Sequence, residues 1–166
     1  PIRSSAASDV YKRQDAEGRL IMADALAFAS ESKPDIICDV ATLTGAAYVA
    51  LGVEIGAVFS NNKVTLDSFL NSNNDGFENY HSLPLEQSYK SQIKSNIADM
   101  KNSGGRFGGA ITAALLLEEF VDDLNWIHLD IAGPARSRSS NSIYPEGGTG
   151  FGVLGYFNFL ANEANG

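Results

Sequence analysis

Three short apolar runs, separated by stretches of helical period, constrain this chain more than any other feature. Ile36-Ile37-Cys38-Asp39-Val40, Ile55 to Phe59 and Trp126 to Ile131 are each five or six residues long and rich in β-branched or aromatic side chains. Such runs suit strands buried on both faces, as in parallel sheets. Between them lie helical signals. Arg19 to Ser32 places Leu20, Ala23 and Ala27 at spacings of three and four, and Lys33-Pro34-Asp35 stops it, because proline disfavours helix in the residue before it. Ala46 to Leu51 reads as a short helix ended by Gly52, Leu66 to Asn71 as another, and Leu83 to Lys94 as a third. Ala110 to Val121 is apolar nearly all round, the mark of a buried helix, and Val153 to Asn162 closes the chain as a helix. Asn61 to His81 is otherwise polar, and His81 is expected at the surface. Helices alternating with apolar strands predict an α/β fold, a layered helix–sheet–helix domain with a mostly parallel or mixed sheet. Glycines cluster where strands hand over to helices, which is where open α/β sheets hold their ligands.

The chain has 166 residues, enough for one domain with one core. Twelve basic against twenty acidic residues give a net charge of −8, which argues against nucleic acid as a partner, since phosphate binding needs a basic surface. No apolar run approaches the roughly 20 residues of a membrane span, so no membrane partner is expected. The one cysteine, Cys38, leaves no internal disulfide, and a reducing, cytoplasmic location is expected. Pro1 to Gln14 is rich in Ser, Arg and Ala without a sustained apolar period. It is expected to be a disordered or non-native leader, with the domain proper spanning 15–166.

Four blocks carry possible chemistry. Asp15-Ala16-Glu17-Gly18-Arg19-Leu20 alternates two carboxylates and a guanidinium. In extended backbone these share one face, whereas on a helix neighbours two apart diverge. Close carboxylates repel unless a cation lies between them, and oxygen donors suit Mn²⁺, Mg²⁺ or Zn²⁺. The bland alternative is a helix first turn whose acids favour the dipole. Thr42-Leu43-Thr44-Gly45 follows the first strand and either lines a ligand or simply caps the next helix. Asp99 to Gly109 is glycine-rich but lacks the lysine-serine ending of a phosphate-binding loop. His128 and Asp130 share a strand face, as a metal pair, part of a triad, or hydrogen-bonded structural residues. There is no Gly-x-Ser-x-Gly elbow and no His-Glu-x-x-His motif.

Taken in order, these blocks resemble the leucyl (cytosol) aminopeptidase family of two-metal peptidases. Asp15 to Leu20 matches the family signature from its third residue. Ala41 to Ala46, Ala98 to Asn102, Gly108 to Ala114, His128 to Gly133 and Thr149 to Gly152 follow in the same sequence. The resemblance implies a C-terminal catalytic part of a metal-dependent enzyme that releases N-terminal amino acids, leucine-like ones included, from peptide substrates. It implies that Asp15 and Glu17 ligate two divalent ions (Mn²⁺ or Zn²⁺), Glu17 bridging them. Arg19 would be the catalytic anion holder, keeping a bicarbonate with Gly18 and Leu43. Thr42, Leu43 and Gly45 would line the substrate, while His128 and Asp130 carry over only as structural residues. The parent is expected to be a homo-hexamer.

The sequence departs from the family in places. Arg13-Gln14 stands where the signature begins Asn-Thr, and the two lysines and two aspartates that the family supplies further upstream have no match. Leu154-Gly155-Tyr156 replaces a more basic run. The chain as written is therefore expected to bind metal weakly and not to turn over. The alternative is a catalytically dead relative that assembles with other subunits.

Overall fold

The computed structural model describes the backbone of residues 5–140 and 143–165 and the side chains of residues 18–140 and 143–164. Four strands make the main sheet: β1 (Ile37–Ala41), β2 (Ile55–Ser60), β3 (Asn79–Ser82) and β4 (Trp126–Asp130). Their order is β1-β4-β2-β3. β1 and β4 are parallel, β4 and β2 antiparallel, and β2 and β3 parallel, so the sheet is mixed. β4 is its centre, and all five of its residues are buried. Its alternation sorts the two cores. Trp126 faces a cluster with Leu26, Ile37, Phe59, Ala114 and Leu117, and Ile127 and Leu129 face one with Val58, Phe69 and Phe159. Phe59, Phe69, Trp126 and Phe159 are fully buried, each contributing roughly 1.5–3 kcal/mol by removal from water.

Helices cover both faces. On the first core lie α1 (Ser5–Glu31), α2 (Gly45–Leu51) and α4 (Gly109–Glu118). On the second lie α3 (Lys63–Ser72) and α5 (Val153–Asn165). The expected helix–sheet–helix layering is present. α4 is buried at seven of its ten residues because α1, α2 and β4 surround it, as its uniform apolarity predicts. Gly108 starts it at φ +67°, and a Cβ there would lie 2.7 Å from the Tyr89 ring, so both conformation and space demand glycine.

Some elements differ from expectation. α1 starts at Ser5, well before Arg19; residues 1–4 of the presumed leader lie outside the described residues. α3 begins at Lys63 because Asn62 caps it, its side chain accepting from Thr65 N at 3.1 Å. β3 carries His81 on an exposed position and pairs only with β2. The helix expected from Leu83 to Lys94 is a single 3-10 segment, Gln87–Gln92. Pro84 biases Leu83 toward extended backbone, and Leu83 N donates to Val58 O, prolonging the sheet. A two-stranded ribbon, β5 (Arg136–Ser137) with β6 (Gly147–Gly148), adds a further small sheet.

Candidate functional site

β1 and β4 run parallel and end side by side at Ala41 and Asp130. The Thr42–Gly45 turn leaves the sheet there, at the end where α/β sheets place ligands. Asp130 fixes that turn. Its Oδ1 accepts from Leu43 N at 3.0 Å, Thr44 N at 3.3 Å and Ala132 N at 3.2 Å, and its Oδ2 accepts from the Thr44 hydroxyl at 2.6 Å. The Thr44 oxygen in turn accepts from Ala47 N at 3.0 Å and caps α2. One buried carboxylate therefore sets the turn, the helix start and the first residues after β4. Thr42 and Gly45 stay exposed, and a Cβ on Gly45 would meet nothing within 4 Å, so this rim is open. The Leu43 N–H is engaged by Asp130, which leaves its carbonyl as the group able to reach a ligand.

His128 is used differently. It lies opposite Asp39 of β1 and Phe59 of β2. Its Nδ1 is 2.5 Å from Asp39 Oδ1, and the Trp126 indole N–H donates to Asp39 Oδ2 at 2.6 Å. The imidazole stacks between Phe59 and Trp126, with centroids 5.9 and 5.8 Å away. Nε2 has no hydrogen-bond partner among the described residues. His128 and Asp130 are thus both consumed by internal contacts and fully buried, which matches the structural alternative for them. Cys38, beside Asp39, has its thiol pushed up to about 12 by burial and by the Asp39 charge.

Asp15 to Arg19 lies inside α1, not in extended backbone. The strand geometry that would have aligned Asp15, Glu17 and Arg19 is absent, because residues two apart on a helix diverge. The side chains of Asp15 and Glu17 lie outside the described residues. Gly18 is exposed, with open space where a Cβ would be. Arg19 is half-buried, and its Nη1 donates to Asn102 O at 3.0 Å. That carbonyl belongs to the glycine-rich segment, whose far end closes on α2: a Cβ on Gly109 would lie 3.1 Å from Ala46 Cβ. The segment thus touches both Arg19 and the helix that follows the Thr42–Gly45 turn.

Among the described residues there is no group of three or more His, Cys, Asp or Glu able to hold a metal. Two carboxylates would fit hard divalent ions in kind, but two ions need more oxygen donors than two side chains offer. No helix among the described residues is long and apolar enough to cross a membrane. The anchoring role of Asp130 escaped sequence reasoning. The one available signal was a threonine-bearing turn after one strand and an aspartate ending another, and only the sheet order joins them.

Comparison with known proteins agrees with this arrangement. Residues 10–155 match the cytosol aminopeptidase family, catalytic domain. A probable cytosol aminopeptidase of Synechococcus sp. (strain CC9902) is 50% identical over 151 residues, covering 90% of this chain and 31% of the relative. One from Syntrophotalea carbinolica is 49% identical over 149 residues, 90% of this chain and 30% of the relative. Among solved structures, a mutant of tomato leucine aminopeptidase superposes with a TM-score of 0.83 at 40% identity, covering 89% of this chain and 28% of that one. The bottromycin maturation enzyme BotP gives 0.86 at 38%, covering 90% and 34%. The chain spans about a third of the length of these relatives. With ordered sequence blocks, a layered mixed sheet and a family match over most of its length, the chain belongs to the cytosol aminopeptidase family, within its catalytic domain.

Proposed function

We propose that a protein containing this chain is a metal-dependent aminopeptidase that releases N-terminal residues, leucine-like ones included, from peptides in the cytoplasm. Residues 15–166 form the C-terminal part of its catalytic domain. The observation that carries this reading is the shared wall described above: Arg19 rests on the Asn102 carbonyl, and the same segment abuts α2, which begins at Gly45. An anion held by Arg19 and a peptide held along Thr42, Leu43 and Gly45 would then be neighbours. Arg19 keeps its charge at any working pH, so it orients an anion such as bicarbonate and does not take a proton. Asp130 contributes by stiffening the turn, so that the Leu43 carbonyl keeps one direction. Asp15 and Glu17 are the metal donors in this reading, and divalent ions supply Lewis acidity and lower the pKa of water. Two side chains make an incomplete shell, so this chain alone turns over no peptide.

A homo-hexameric parent fits one further observation. Val153, Leu154, Phe157 and Leu160 form an exposed apolar stripe along α5, and such a stripe is costly to leave in water. The same stripe favours the second reading, a non-catalytic relative that assembles with other subunits. The discriminating experiment uses the chain extended upstream at its source locus. Equilibrium dialysis with Mn²⁺ and Zn²⁺ and hydrolysis of leucine p-nitroanilide should show bound metal and metal-dependent release. Absence of both leaves the assembling relative as the better reading.

A further inference from the structure

The turn after β4 leads into a locally basic stretch. Ala135 N donates to Ile131 O at 3.0 Å, and Ile131 N donates to Ala41 O at 2.8 Å, so the β5–β6 ribbon springs from the sheet end that carries the Thr42–Gly45 turn. Residues 131–145 include Arg136 and Arg138 and no acidic residue, in a chain of net charge −8. Both arginines are exposed, and neither makes an ion pair or side-chain hydrogen bond among the described residues.

Three serines follow or interleave these arginines, and the structure tells them apart. The Ser137 hydroxyl donates to Ser139 O at 2.6 Å, and the Ser140 oxygen accepts from Glu146 N at 3.2 Å. Ser139 is exposed, and its own hydroxyl has no hydrogen-bond partner among the described residues. It is also the one serine or threonine in the sequence with two basic residues among the three before it. A guanidinium fork pairs with a carboxylate through two parallel hydrogen bonds, so an acidic groove would grip this segment and leave the free hydroxyl within reach.

We propose that Ser139 is a phosphorylation site for a serine kinase with an acidic peptide groove, and that Arg136 and Arg138 hold the phosphate once it is attached. The γ-phosphorus of a nucleoside triphosphate bonds to Ser139 Oγ and its bond to the bridging oxygen breaks. The diphosphate leaves, and the hydroxyl proton passes to a carboxylate of the kinase. The product carries about −1.5 to −2 charges at pH 7, beside two guanidiniums able to neutralise them. The proposal stands apart from the aminopeptidase reading and needs no turnover of peptide to test. Incubating the full chain with Mg²⁺, ATP and an arginine-directed serine kinase should add one phosphoryl group, placed on Ser139 by fragmentation mass spectrometry. Ser139→Ala should take up none. The Arg136→Gln/Arg138→Gln double variant should be modified about tenfold more slowly while keeping its far-UV dichroism and thermal midpoint. After both are driven to completion, the phosphorus-31 titration of the phosphorylated chain should fall at lower pH than that of the phosphorylated double variant, because nearby cations favour the dianion. Phosphate on another residue, a double variant modified as fast as the wild type, or no incorporation into the folded chain would overturn the site. Coincident titrations would overturn the holding role of the arginines.

Discussion

Removing the Asp130 carboxylate is the sharpest single perturbation of this structure. Asp130 is 1% exposed and satisfies four donors: Leu43 N, Thr44 N, Ala132 N and the Thr44 hydroxyl. Each donor left unpaired and buried costs about 1–3 kcal/mol. Thr44 is buried, while Leu43 is only half-buried, so water rescues part of the loss. Counting the two Thr44 donors at full cost and the others at little, Asp130→Ala should destabilise by about 4 kcal/mol. Thermal midpoints of domains this size fall about 2–4 °C per kcal/mol, giving a drop of roughly 8–16 °C. Asp130→Asn keeps an oxygen for the three amides but turns an NH₂ toward the Thr44 hydroxyl and loses the charge. Its cost should be about 1–2 kcal/mol. Urea unfolding at constant m-value measures both, and amide hydrogen exchange should speed up selectively at Leu43, Thr44 and Ala132. If Asn proves as costly as Ala, or Ala costs under about 1 kcal/mol, the carboxylate does not organise the turn.

Three further outcomes are expected. A Cβ on Gly133 would run into the Gly52 carbonyl oxygen, backbone against backbone, so Gly133→Ala should destabilise by about 3 kcal/mol or more in the same unfolding assay; wild-type stability would mean the two loops part freely. Glu78 is buried and accepts from Gly152 N at 2.9 Å, Gly155 N at 2.7 Å and the Tyr80 hydroxyl at 2.6 Å, so Glu78→Gln should cost about 1–2 kcal/mol and fray the start of α5, seen as faster amide exchange there. Cys38 should react with iodoacetamide at pH 9 roughly a few hundred-fold more slowly in the native than in the unfolded chain, because only thiolate reacts. A folded pKa raised to about 12 from 9.0 also means that the stability from keeping this thiol neutral is complete below pH 9 and is lost as pH rises toward 12.

Strands and helices whose burial is one-sided or complete were legible in the sequence. β1, β2 and β4 lie within a residue or so of their expected spans, since β-branched and aromatic runs have few other places to go. β3 was not legible. Asn79 and His81 point to water and only Tyr80 is large and apolar, so the strand exists because β2 offers it an edge. The start of α1 was misjudged because helical backbone continues upstream through residues that show no apolar period. The turn that carries Thr42, Leu43 and Gly45 was legible as a turn at a strand end, and so was the threonine cap of the next helix. The Asp130 contacts to that turn span 86 and 87 residues, and no local pattern encodes such a pairing. Arg19 was legible as a charge but not as the partner of Asn102, 83 residues away.

The sheet order has a consequence for how the chain acquires its shape. β1 and β2 precede β4 in the chain, yet neither pairs with the other; β2 has β3 beside it, whereas β1 pairs among the described strands with β4 alone, which appears at Trp126. Until then β1 is an unsatisfied apolar segment, and closing the loop from β1 to β4 costs entropy before any ladder bond between them repays it. Completion of the main sheet should therefore be slow and late, governed by the arrival of a five-residue strand that joins β1 to the β2–β3 pair.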